Sequence, residues 1–332
     1  MPESYYLIAV GLLAALCAFF ATPLLIKLAR RHEFFDTPCD RSVHTRNVSR
    51  LGGIAVFAGF AIGFALFTYL VLVGKVDYAD QPVTMFAFFL GASLFFLLGL
   101  ADDFFGLSAQ FKLIVMIGIA VMVILMGVRI GSLFGYLLLP TWFAVAFSVF
   151  WIVGIVNTMN FIDGLDGLAT GVGLLASIAF LIIAIVRGEW FTSFLLVCII
   201  GSLAGFLPHN FFPAKIFLGD SGSLTIGYFL AVISIIGLYK QITLLTLAVP
   251  LMVLALPIAD TAFAIIRRLV RRVPITRPDR RHIHHRLLAL FGRNHSDSTL
   301  MMESTAHRSA VIACYLIAVV FAAIAVYFGI QK

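Results

Sequence analysis

Residues 168–186 read LATGVGLLASIAFLIIAIV, nineteen positions without a charge. As an α-helix, a run of that length crosses about 30 Å of hydrocarbon. Directly ahead of it stands NTMNFIDGLDG (157–167), a short polar segment with two asparagines, two aspartates and two glycines. A long apolar run bounded by a compact polar segment is the unit from which the rest of the chain is built.

Outward from that junction, further apolar runs occupy about 5–29, 51–73, 84–100, 111–127, 139–157, 191–207, 223–238, 243–268 and 308–330. Membrane-barrel strands alternate over about ten residues, and these runs do not. The third and seventh runs are short, which predicts tilted or broken helices. Only 12% of the 332 residues are charged and 62% are hydrophobic, whereas soluble domains carry about 25% charged residues. Too few charges exist to cover a water-facing surface, which excludes soluble, disordered, fibrous and disulfide-stapled classes. The sequence predicts an all-α, polytopic membrane helix bundle of about ten transmembrane helices, forming a single integral-membrane domain over residues 1–332. Cys17, Cys198 and Cys314 lie in apolar runs and Cys39 in a polar loop, with no CxxC spacing for a disulfide framework or thiolate metal site. The first run follows no basic region and is too long for a cleavable signal. Gly59 with Gly63, and Gly201 with Gly205, have the small-xxx-small spacing of packed membrane helices. No internal repeat suggests an inverted-repeat transporter.

Charge orients the bundle. Of the 23 lysines and arginines, 18 fall on one set of alternate loops and 5 on the other. The positive-inside rule then puts the large basic loops in the cytoplasm and both termini outside. Asp36, Asp40, Asp102, Asp103, Asp163, Asp166, Asp220 and Asp279 lie in or beside those same loops. Polar chemistry is concentrated on one membrane face.

Five segments carry that chemistry. The loop LADDFFGL (100–107) sets two adjacent carboxylates at the mouth of a span, with Lys112 nine residues past Asp103. Such acids are costly unless paired with cations or a metal, so they read as a site for a divalent cation or an activated phosphate, or as a solvated cap. Asn160, Asp163 and Asp166 are spaced i, i+3, i+6 and would converge on one face of a helical turn. A helix cap needs only one such residue. HNFFPAKIFLGDSGS (209–223) places Asp220 and Ser221 at the start of the eighth span, where free N–H groups and the helix dipole attract phosphate. A carboxylate there calls for an intervening cation, as when Mg2+ is held by one or two carboxylates plus substrate phosphates; simple capping by Asp220 or Ser221 is the alternative. The basic segment RPDRRHIHHR (277–286) allows a zinc site at its histidines, opposed by the flanking arginines, or a clamp for diphosphate. It lacks the aromatic interleaving of a nucleic-acid surface. Residues 35–53 mix acids, bases and a glycine pair before the second span.

The segments DTPCDRSVHTRNVSRLGG (36–53), LADDFFGLSAQFK (100–112), NTMNFIDGLDGLA (157–169), HNFFPAKIFLGDSGS (209–223), PIADTAFAIIRR (257–268) and PDRRHIHHRLL (278–288) stand in one order along nearly the whole chain. Together they resemble the signatures of polyprenyl-phosphate N-acetylhexosamine-1-phosphate transferases. The HIHH form resembles the undecaprenyl-phosphate N-acetylglucosamine-1-phosphate transferase branch, since the peptidoglycan branch has three consecutive histidines. Two positions depart from the family pattern: Ser42 stands where Lys is usual and Ser49 where Pro is common.

The resemblance implies that the phosphate of a membrane polyprenyl phosphate (undecaprenyl phosphate) attacks the β-phosphorus of UDP-N-acetylglucosamine. UMP leaves, and the lipid-diphosphate sugar begins a cell-envelope glycan. It implies Mg2+, with Mn2+ as a substitute, in an inner-membrane enzyme whose site faces the cytoplasm. Asp220 would ligate the metal, and Asp102 would orient or deprotonate the lipid phosphate with Asp103 and Lys112 beside it. Asn160, Asp163 and Asp166 would make nucleotide and metal-side contacts. Asn210 and Phe217 would bind and stack on uracil, while Arg50, Arg281, His282, His284 and His285 would clamp the diphosphate and sugar. The partners are a UDP-sugar and polyprenyl phosphate, without nucleic acid; a homodimer is compatible. Two other readings stay open: the same reaction with another UDP-N-acetylhexosamine or UDP-N-acetylmuramoyl-pentapeptide, and an anionic-lipid transporter. A transporter would place ionisable residues near mid-span.

Overall fold

In hydrocarbon a backbone has no water to satisfy its N–H and C=O groups, so the apolar runs close those bonds internally as helices. The computed structural model describes residues 3–32, 48–76, 82–133, 137–237, 255, 258–259 and 300–330. The helices are α1 (Glu3–Arg31), α2 (Gly52–Leu72), α3 (Pro82–Phe105), α4 (Ala109–Leu125), α5 (Thr141–Ile162), α6 (Leu168–Val186), α7 (Trp190–Asn210), α8 (Gly219–Ile236) and a C-terminal helix (Leu300–Ile330). Among the described residues, eight helices are long and apolar enough to cross a membrane; α4, with 17 residues, is shorter. A two-residue antiparallel ladder, Ser132–Leu133 with Leu137–Leu138, joins α4 to α5.

One expectation is corrected and another lies largely outside the described residues. The third and seventh spans are neither short nor broken: α3 has 24 residues and α7 has 21. Each continues past its apolar run into a polar last turn whose side chains find tertiary partners. The expected ninth span, 243–268, falls almost wholly outside the described residues.

The bundle is organised around α8, which packs against α2, α3, α5, α6 and α7. Sixteen of its 18 residues are buried, although it is the least hydropathic of the eight spans. Its neighbours supply an aromatic core, with Phe60 and Phe229 at 4.4 Å and Phe95 and Tyr228 at 5.0 Å. Around it lie α1 on α2 and α7, α4 on α3 and α5, and the C-terminal helix on α6. The small-residue pairs act as expected: a Cβ at Gly201 or Gly205 would strike the α1 carbonyls of Gly11 and Ala15. At one end of the bundle α3, α5 and α7 finish while α4, α6 and α8 begin, and hydrogen bonds between those ends gather the polar segments there.

Candidate active site

Asp102 and Asp103 occupy the last turn of α3 rather than the loop expected for them. Gly106, at φ +63°, turns the chain out of the helix, and the Leu107 N–H donates to Asp102 Oδ1 at 2.7 Å. Ser108 then caps α4, accepting from the Phe111 N–H, and this cap sets Lys112 one turn into α4. The Lys112 ammonium lies 2.6 Å from Asp102 Oδ2 and 2.9 Å from Asp220 Oδ2. One cation therefore bridges two half-buried carboxylates from different helices.

The close approach of α3 to α8 depends on Gly99. A Cβ there would collide with the backbone of Asp220 and Ser221. One turn later, Asp103 points at the start of α8: its Oδ1 accepts from the Asp220 N–H at 2.8 Å and its Oδ2 from the Ser221 N–H at 2.9 Å. Two of the amides expected to attract phosphate are thus occupied by a carboxylate from α3. The cap of α8 is neither Asp220 nor Ser221 but Asp103, which also complements the helix dipole.

Asn160, in the last turn of α5, donates through Nδ2 to Ser223 Oγ at 3.0 Å and lies beside Asp220. Asp163 is the residue that ends α5. Burial, reinforced by the charges of Asp220 and Asp103, holds its carboxyl well above the usual carboxylate range; the Arg50 guanidinium opposes this. Asp102, Asp103, Asp163 and Asp220 thus form one cluster, with Lys112 and Arg50 as its neighbouring cations among the described residues. If all four were ionised, two negative charges would remain in excess.

Known proteins resemble the chain along most of its length. Residues 85–238 match glycosyl transferase family 4. A probable undecaprenyl-phosphate N-acetylglucosaminyl 1-phosphate transferase of Bacillus subtilis (strain 168) is 37% identical over 314 residues, covering 93% of this chain and 81% of the relative. The chain belongs to glycosyl transferase family 4. An undecaprenyl-phosphate alpha-N-acetylglucosaminyl 1-phosphate transferase of Thermotoga maritima is 35% identical over 271 residues, covering 82% of this chain and 78% of that protein. A phospho-N-acetylmuramoyl-pentapeptide-transferase of Staphylococcus aureus (strain MSSA476) is 32% identical over 247 residues, covering 68% of this chain and 74% of its own length.

Two site expectations change within this family frame. Asn160, Asp163 and Asp166 do not share a helical face, because α5 ends at Ile162. Asp166 instead accepts the Ala214 N–H on Oδ2 at 2.9 Å, tying the α5–α6 turn to the segment after α7. Asn210, read as a uracil ligand, uses its amide within the protein: Nδ2 donates to the Ile216 carbonyl at 3.0 Å and Oδ1 accepts from Thr170 Oγ1 at 2.7 Å. Phe217 is half-buried, and its backbone pairs with the chain ahead of α2: its N–H donates to Ser49 O at 2.8 Å and its carbonyl accepts from the Gly52 N–H at 2.9 Å. Ser49, standing where the family usually has Pro, also accepts the Leu51 N–H on its hydroxyl. Arg50 is exposed at the rim. Arg281, His282, His284 and His285 lie outside the described residues.

Sequence reading missed Gly99 and Gly219, which permit the α3–α8 contact, and it missed Ser223 as the partner of Asn160. Gly219 holds φ +75°, so an L side chain there would be strained as well as crowded by Asp103. His307 was missed too, standing alone just ahead of the last apolar run with no motif around it. Among the described residues no group of three or more His, Cys, Asp or Glu side chains forms a metal cage. Mg2+ does not need one, since one or two carboxylates with substrate phosphates hold it. The carboxylate oxygens of Asp220 and its neighbours Asp102 and Asp163 are the donor type that such a hard cation takes.

Proposed function

We propose that this chain transfers N-acetylglucosamine-1-phosphate from UDP-N-acetylglucosamine to a membrane polyprenyl phosphate, releasing UMP. The observation that carries this reading is the Lys112 bridge between Asp102 and Asp220 at the bundle end. It joins carboxylate, ammonium and helix terminus where an amphipathic phosphate and a soluble nucleotide can meet. The named activity of the relatives favours N-acetylglucosamine over the muramoyl-pentapeptide.

In the proposed reaction an oxygen of the lipid phosphate attacks the β-phosphorus. The bond from that phosphorus to the bridging oxygen breaks, and UMP departs with that oxygen. Phosphoryl transfer depends chiefly on positioning and charge stabilisation. Asp102 orients or deprotonates the lipid phosphate, and Lys112 meets its charge. Asp103 positions Asp220 by fixing the start of α8. Asn160 and Asp163 face the nucleotide side, Arg50 stands at the rim, and Phe217 is available to the base. When bound, Mg2+ at Asp220, with Asp163 beside it, would neutralise diphosphate charge and stabilise the departing phosphate. Arg281, His282, His284 and His285 complete the proposed diphosphate clamp.

The basic bias of the loops supports a site facing the cytoplasm, in the plasma membrane of a bacterium, with a cell-envelope glycan as the destination. Cysteine labelling tests it: positions 105 and 215 should react only from the cytoplasmic side and the N-terminus only from outside. The decisive test of substrate is incubation of purified protein with Mg2+, undecaprenyl phosphate and a panel of UDP-sugars. UMP release should be fastest with UDP-N-acetylglucosamine and vanish in EDTA. Preference for UDP-N-acetylmuramoyl-pentapeptide, or full activity in EDTA, would refute the reading.

A further inference from the structure

The C-terminal helix brings three side chains against the two polar segments that flank the site. His307 is buried and stacks on Phe212, with ring centroids 4.3 Å apart. Its Nε2 accepts the backbone N–H of Asp166 at 3.2 Å. That nitrogen therefore presents a lone pair, and the ring proton sits on Nδ1. Tyr315, two turns further along, donates its hydroxyl to the Gly167 carbonyl at 2.6 Å. Gly171 makes room for it, because a Cβ there would collide with the phenol. Arg308 lies over the Phe212 ring at 5.7 Å from its centroid.

These contacts converge on Asp166. Its N–H goes to His307, its Oδ2 takes the Ala214 N–H, and the next carbonyl along, that of Gly167, takes the Tyr315 hydroxyl. Three segments distant in sequence are fastened there: the α5–α6 turn, the stretch between α7 and α8, and the C-terminal helix. The turn fastened this way starts at Asp163, which belongs to the carboxylate cluster. The stretch between α7 and α8 leads directly into Asp220. The rest of the C-terminal helix is largely exposed along its outer face, so nothing about simple membrane anchoring requires an imidazole acceptor and a phenol donor at its inner end.

We infer that His307 and Tyr315 are positioning residues for the transfer site: they hold the Asp163–Gly167 turn and the Phe211–Asp220 segment in register, through the Asp166 N–H and the Gly167 carbonyl. This rests on the transfer reaction proposed above. The residues touch neither substrate nor reacting atoms in this assignment, so their loss should change how well UDP-sugar is aligned more than how well the lipid binds.

The test uses the full chain in lipid nanodiscs with UDP-N-acetylglucosamine and undecaprenyl phosphate. His307→Phe keeps a ring for Phe212 but removes the acceptor; His307→Gln keeps an acceptor; Tyr315→Phe removes only the donated bond. Misplacement of a reacting geometry by about 1 Å can cost about 10²-fold. On that scale His307→Phe should lose about tenfold or more in kcat/KM for UDP-N-acetylglucosamine, with the KM for lipid unchanged. His307→Gln should stay within about threefold of the natural chain, and Tyr315→Phe should fall between them. Amide hydrogen exchange across 163–170 should quicken in His307→Phe at unchanged melting temperature. Natural kinetics in His307→Phe, or a His307→Gln as impaired as His307→Phe, would overturn the inference. So would a loss of activity that tracks a loss of folded protein. Failure of the natural chain to release UMP would instead refute the transfer reading, and the exchange measurement would still judge the two fastenings.

Discussion

The distal part of α8 buries hydroxyl groups, and each is closed by a neutral neighbour. Tyr228 donates to the Ala87 and Phe88 carbonyls, both at 3.2 Å; Ser234 accepts the Trp151 indole N–H at 2.8 Å; Thr225 bonds back to the Ser221 carbonyl. The first turn of the same helix is arranged otherwise. Asp220 shares a lysine with Asp102, its amide is held by Asp103, and Asp163 adds a further carboxyl group nearby. One end is internally complete, while the other gathers more carboxyl groups than cations among the described residues, an arrangement suited to an added cation with phosphate ligands. Buried polar groups in the first arrangement serve packing. In the second they form the proposed binding site.

If that contrast is right, substitutions at the two ends should act on different observables. The largest effect belongs to Asp220→Asn, which should lower turnover about 10³-fold with the melting temperature unchanged; near-natural turnover would remove Asp220 from the site. Lys112→Met comes next, with a loss of about 10²-fold, because Asp102 and Asp220 would face each other without their shared cation. Steady-state UMP assays check both.

Asp163→Asn should separate stability from activity. Burial and neighbouring acids raise the Asp163 pKa in the folded chain, so the unfolded chain ionises first as pH rises. The natural chain consequently loses stability as pH climbs above the unfolded value, about 3.9, and the asparagine variant escapes that loss. Its melting temperature should exceed that of the natural chain more at pH 8 than at pH 5, while turnover falls. An equal gap at both pH values would contradict the assignment. The smallest effect is expected at the distal end: Tyr228→Phe should cost about 0.6 kcal/mol of stability, as typical buried hydrogen bonds in membrane helices do, and leave turnover intact. Unfolding in mixed micelles measures the first and the UMP assay the second.

Much of this is legible in the sequence. Uninterrupted apolar runs announce spans, and the one-sided placement of Asp102, Asp163 and Asp220 announces where the site lies. What stayed hidden depends on contacts between distant segments. The apolar run of the third span stops near Leu100, yet α3 continues to Phe105 because α8 and Lys112 satisfy Asp102 and Asp103. The spacing of Asn160, Asp163 and Asp166 suggested a common helical face, but a glycine-rich turn sends Asp166 toward Ala214. Asn210 looks like a ligand-binding amide in sequence and is a loop fastener in space. No local signal distinguishes those roles, since the partners lie in other helices.

The most direct measurement compares UMP release from UDP-N-acetylglucosamine in the presence and absence of undecaprenyl phosphate, with labelled UMP added to report back-exchange. A lipid phosphate already carries a competent anionic oxygen and needs orientation more than replacement by an aspartyl nucleophile, and repulsion within the carboxylate cluster argues against a charged intermediate on one of its members. The expected result is UMP release matched one for one by lipid-diphosphate N-acetylglucosamine, with neither release nor exchange when lipid is withheld. Rapid lipid-independent exchange, or a phosphosugar trapped on Asp102, Asp103, Asp163 or Asp166, would contradict direct transfer.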